Sequence, residues 1–192
     1  MLEGFFELLK TEVPAHLGPQ RRGGTLPAAE LLARCVALEE AVPAARARSA
    51  PLRALLLLWH DHWAAAHELV QPVDTADAAL VHAIVHRREP DPWNSKYWWR
   101  RTGKHPALAQ LAVELEANGM LQTVSGWRQR LLPGGRWDPF AFVDLCMELQ
   151  GRAESPETHL AREVQRLEFS VVLATFLQAD RSAAGAGPAV SQ

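Results

Sequence analysis

Apolar side chains recur along this chain at three- and four-residue intervals between short polar breaks, the spacing of one-sided helices. The pattern predicts helices over residues 2–10, from Pro27 to about Val42, from Ser49 to Val70 or Gln71, and from Asp74 or Thr75 to about Arg88. A short helix follows Asp91-Pro92, and three more cover 106–118, 139–150 and Pro156 to about Ala179. The starts carry cap residues followed by proline: Ser49 with Pro51, Asp91-Pro92, Asp138-Pro139 and Ser155-Pro156. The stops are equally marked. Pro72 closes one helix, Glu89 precedes Pro90, and Asn118-Gly119 supplies a left-handed terminator. Residues 120–136, rich in Gly, read as irregular with a short hairpin, and the tail from Ser182 reads as disordered. With Ala and Leu abundant and β-branched residues sparse, the expected fold is all-α. It is a single-domain irregular bundle of about 6–8 helices spanning residues 1–181, with a 182–192 tail.

Composition narrows the function classes. Over 192 residues the net charge is −2, so no overall field draws the chain to nucleic acid or to an anionic membrane. The positive charge is local, with six Lys and Arg against two acids between His86 and Lys104. The most apolar run, Leu55 to Trp59, is too short to cross a bilayer, and MLEGFFELLK has acids and no long apolar core, unlike a signal peptide. Cys35 and Cys146 each fall in an apolar helical pattern, which points to buried thiols in a reducing compartment. The expected location is the cytoplasm. A homodimer is compatible with the composition, without a surface to assign it to.

Two helices carry polar groups into the core. On the 49–71 helix, Leu52, Leu56, Trp59, Trp63, Ala66 and Val70 form the apolar stripe; His60 and His67 lie along one margin, His62 on the other, and Asp61 faces away. On the next helix, His82, His86 and Glu89 stand at i, i+4 and i+7, in a sequence apolar nearly all round until Arg87. Such a helix is buried, so His82 and His86 point inward and need partners.

The run from His82 to His105 resembles the signature H-x-x-x-H-R-(R/K)-E-x-D-x-x-N-x-x-Y-W-x-R-R-x-G-x-H of an uncharacterised family of small helical proteins from bacteria and fungi. In that family an H-x-L-x-Q segment comes first, as His67-Glu68-Leu69-Val70-Gln71 does here. The matching positions are His82, His86, Arg87, Glu89, Asp91, Asn94, Tyr97, Trp98, Arg100, Arg101, Gly103 and His105, with Pro90 where many fungal members have Gly. The resemblance covers about forty residues and implies a site, without an activity.

Three chemistries compete for these residues. A divalent transition metal would take His82, His86 and Glu89, with His67 or His105 as a further ligand. Without a metal, Arg87, Arg88, Arg100 and Arg101 could clamp an anion, with His82, His86 and Glu89 as acid–base groups. His67, Asp91, Asn94 and Tyr97 would then complete the pocket. Stacking of unpaired bases on Trp93, Tyr97, Trp98 and Trp99 is disfavoured by the acidic remainder and the lack of a binding module. The expected function is binding of a small polar or anionic molecule, with its conversion left open. The alternative is a structural or protein-interaction bundle whose His and Arg groups satisfy one another, for instance Arg87 with Glu89 or Arg100 with Asp91.

Overall fold

The computed structural model describes residues 2–152 and 154–178; the predicted tail lies outside these. In chain order the α-helices are α1 (Leu2–Glu7), α2 (Ala28–Glu39), α3 (Pro43–Ala47), α4 (Ser49–Trp59), α5 (Trp63–Val70) and α6 (Ala76–Arg88). They continue with α7 (Pro92–Thr102), α8 (Pro106–Asn118), α9 (Trp127–Leu131), α10 (Pro139–Leu149) and α11 (Pro156–Leu177). The all-α architecture is as the sequence predicts, and the described residues contain no strand: the 120–136 segment is built from α9 and two 3-10 turns, not a hairpin.

Local chemistry sets most of the boundaries. Thr75, Asp91, Asp138 and Ser155 each accept a backbone N–H at the start of α6, α7, α10 and α11. Proline follows three of them at the first helical position, where its missing N–H costs nothing. Ser49 is not a cap; α4 starts at Ser49 itself, and the polar stretch before it winds into α3.

The largest departure is at residues 60–62. The sequence reads as one helix over 49–71, but α4 stops at Trp59 and α5 starts at Trp63. The N–H of His62 donates to the Leu57 carbonyl (2.9 Å) and that of Asp61 to the Leu58 carbonyl (3.2 Å), which is the hydrogen-bond pair of a Schellman terminator. Such a terminator places one residue in the left-handed region, usually Gly, yet here Asp61 takes it at φ 65°. Its carboxylate supplies the compensation. Asp61 accepts from Arg88 (2.8 Å) and from the backbone and side chain of Arg22 (both 3.1 Å), and is itself buried. The residue expected to face solvent is thus the anchor of the turn.

α4 and α6 form the centre. All residues of α4 from Ala54 to Trp59 are buried, as are all of α6 from Ala78 to Arg88. α6 packs along α7, against α5, and onto α4, while α11 lies across α4 and α8. The Ser95 hydroxyl donates to the Ala83 carbonyl (2.8 Å), fastening α7 to α6 in the interior. Cys35 and Cys146 are free and buried, and burial pushes both thiols up to about 12, so neither is a nucleophile near neutral pH. No helix among the described residues is long and apolar enough to cross a membrane.

Candidate functional site

Because the chain breaks at Asp61, α5 leaves α4 at a new angle and lays His67 and Gln71 against α6. From α6 come His82, His86 and, just past its last turn, Glu89. The Asp91-Pro92 corner then brings Asp91, Asn94 and Trp98 of α7 to the same place. These eight residues line one open pocket of about 390 Å³. The volume suits a small metabolite.

Three imidazoles converge at its floor. Each of His67, His82 and His86 offers a ring nitrogen, and these atoms all lie within 4.8 Å of one another. The rings of His82 and His86 are stacked (4.8 Å between centroids, 17°), as the i, i+4 spacing on one helix dictates. His67 meets both edge-on, at 4.6 Å and 5.1 Å. Trp98 covers the other face of His82 (3.9 Å, 18°). His82 is 2 % exposed, yet neither of its ring nitrogens has a hydrogen-bond partner among the described residues. A buried imidazole without partners costs about 1–3 kcal/mol, and among the described residues with an unpartnered buried nitrogen His82 alone has two.

Protonation follows from the surroundings. Burial, together with the neighbouring His86 and His67, lowers His82 to about 3, so its imidazole is a neutral lone-pair donor in ordinary conditions. It has no proton to give as a general acid near pH 7. His86 is also lowered, first by burial; Glu89 opposes this, and its Oε2 lies 2.9 Å from His86 Nδ1. A carboxylate can only accept, so Nδ1 carries the hydrogen and Nε2 holds the free lone pair.

The remaining predicted site residues go elsewhere. Arg87 points away from the pocket into a buried ion pair with Glu168 on α11, with its guanidinium 4.6 Å from the Phe142 ring centre. Arg88 is held by Asp61 and the Leu58 carbonyl. Arg100 stacks over Phe140, and Arg101 pairs with Asp74 (2.5 Å) and lies over Trp98. None of the four lines the pocket. Their partners are also not the predicted Glu89 and Asp91. Tyr97 is half exposed and packs edge-on against Trp98. His105 caps α8, accepting the Ala107 N–H at Nδ1 (3.2 Å), and its Nε2 faces Asp77 Oδ1 at 2.7 Å; it is not among the imidazoles that converge with His82. His60 bridges Leu26 N–H and the Leu8 carbonyl, outside the pocket. Gln71 and the pocket-lining role of Trp98 were missed, although Gln71 lies one helical turn from His67, on the same face. No protein-family model, curated protein or solved structure matches the chain.

Proposed function

We propose that His67, His82 and His86 hold one divalent transition metal, and that the open side of the pocket presents it to a small polar molecule. The observation that carries this reading is the convergence of three imidazole nitrogens within 4.8 Å at a buried position. Two of these rings titrate below the ordinary range, and one has no other partner. Three imidazoles with room for water or substrate are a common donor set for Zn²⁺ and its neighbours in the transition series. An ion held by His67, His82 and His86 would draw the three nitrogens closer together than the 4.8 Å within which they now lie. Glu89 is then a carboxylate behind the ligand, orienting His86 and raising its basicity, in place of the ligand role the sequence suggested. The satisfied-bundle alternative leaves the orphaned nitrogens of His82 unaccounted for.

Protein purified without a histidine tag from metal-supplemented cells is expected to carry about one equivalent of a divalent transition metal by elemental analysis; less than about 0.1 equivalent overturns the reading. His67→Ala, at the most accessible of the three rings, is expected to lose the metal while keeping the helical circular dichroism of the parent. The Glu89→Gln protein is expected to fold and to bind the same ion roughly 10–100-fold more weakly, measured by competition with a chromogenic chelator. Unchanged affinity in Glu89→Gln removes Glu89 from the centre.

A further inference from the structure

We infer that the molecule taken at this centre is uncharged, a carbonyl compound of the amide or ester class, and not an anion. The inference rests on the metal reading above. Three observations lead to it. First, the pocket lining contains two carboxylates, Glu89 and Asp91, and no Lys or Arg. Imidazole is an uncharged ligand, so the two carboxylates cancel the charge of a divalent ion, and an arriving anion meets no net attraction. Second, three of the four arginines of the motif pair with carboxylates elsewhere, Arg87 with Glu168, Arg88 with Asp61 and Arg101 with Asp74, and the fourth, Arg100, lies over Phe140 outside the pocket lining. Third, the side chains of Gln71 and Asn94 reach the pocket and make no hydrogen bond with any described residue. Each offers an N–H₂ donor and a carbonyl acceptor, the pair that a substrate amide or ester oxygen and its neighbour would use. Trp98, stacked on His82 with Arg101 over its ring, closes one side of the pocket. Asp91 has its own task at the rim. Its Oδ1 accepts the Asn94 N–H at the start of α7 (3.1 Å), which holds its charge in the pocket lining.

Acetamide and acetate make the test, because they share a shape and differ by one charge. Protein loaded with Co²⁺ reports ligand exchange through its visible absorption bands. Acetate ordinarily wins at an exposed divalent ion, since charge attracts charge. Here the charge of the ion is cancelled and Glu89 and Asp91 line the pocket through which the ligand enters, so that order is expected to reverse, with acetamide shifting the cobalt bands at concentrations about tenfold lower than acetate does. Asp91→Asn keeps a good helix cap and removes one charge, and acetate is expected to gain about tenfold in that variant. Cobalt bands that respond first to acetate in the parent protein overturn this inference alone, as do bands that respond to neither ligand. The absence of cobalt bands, with no cobalt by elemental analysis, overturns the metal reading as well. The two failures are therefore read from different signals.

Discussion

Glu168→Leu is expected to destabilise the fold by about 3–5 kcal/mol in urea unfolding. The reason is the partner it leaves behind. Arg87 is fully buried, and Glu168 takes both of its terminal nitrogens, Nη1 at 2.9 Å and Nη2 more closely still. Gln165 Oε1 is at the edge of hydrogen-bond range (3.4 Å), and Cys146 and Phe142 fill the remaining space without accepting a strong bond. Removing the carboxylate therefore leaves a guanidinium in a core with no anion, and the cost of that desolvated charge dominates. The pair itself is worth far less than its breakage suggests. Replacing both groups, Arg87→Leu with Glu168→Leu, is expected to recover most of the loss, because an apolar pair of similar volume carries no desolvation cost. A double variant no more stable than Glu168→Leu contradicts this account, as does a single variant that loses less than about 1 kcal/mol. The consequence reaches the pocket. Arg87 follows His86 on α6, and its ion pair clamps that helix to α11, so a loosened clamp should also weaken metal binding, through position alone.

The same residues explain what the sequence could and could not tell. Helix starts were legible because a cap and a proline act within four residues: Thr75, Asp91, Asp138 and Ser155 each serve the N–H three or so positions ahead. The histidine face of α6 was legible because 100° per residue fixes His82 and His86 on one side wherever the helix goes. The break at Asp61 was not. Nothing in the local pattern distinguishes LLLLWHDHWAAAHELV from a continuous helix, since the left-handed residue is Asp and its compensation comes from Arg22 and Arg88, 39 and 27 positions away. That one turn decides the site: a straight helix would have kept His60 and His67 on one margin, whereas the break sends His60 to Leu8 and Leu26 and His67 to His82. The arginines misled for a related reason. Arg87 and Arg88 sit next to His86 in sequence, yet successive helical residues point 100° apart, and both found anions on distant segments. Adjacency in a motif described a shared helix, not a shared pocket.

His82→Leu is expected to abolish metal binding and, in metal-free protein, to raise stability at pH 7 by about 1–3 kcal/mol. The second half is the unusual one. Leucine fills a similar space against Trp98 and His86 and carries no nitrogen to orphan, so the two unpartnered ring atoms cease to oppose folding. Acid sharpens the contrast, and the sign follows from proton counting. In the unfolded chain a histidine takes up its proton near pH 6.5, whereas folded His82 resists until about 3. Between those values the unfolded state binds the extra proton, so stability is full above about 6.5 and falls as the pH drops toward 3. From pH 7 to pH 5 this one group withdraws about 2 kcal/mol. His16, His60 and His86 are lowered in the same direction and add to the acid limb of the parent protein. His82→Leu should retain their share and lose its own, so its fall between pH 7 and pH 5 should be about 2 kcal/mol smaller. Urea titrations at the two pH values, in the presence of a chelator, measure the difference directly. Equal falls in parent and variant would mean that His82 finds a proton or a partner inside the fold, and the orphaned imidazole would no longer support a metal. A smaller fall together with lost metal uptake would identify one side chain that opposes folding and that the metal requires.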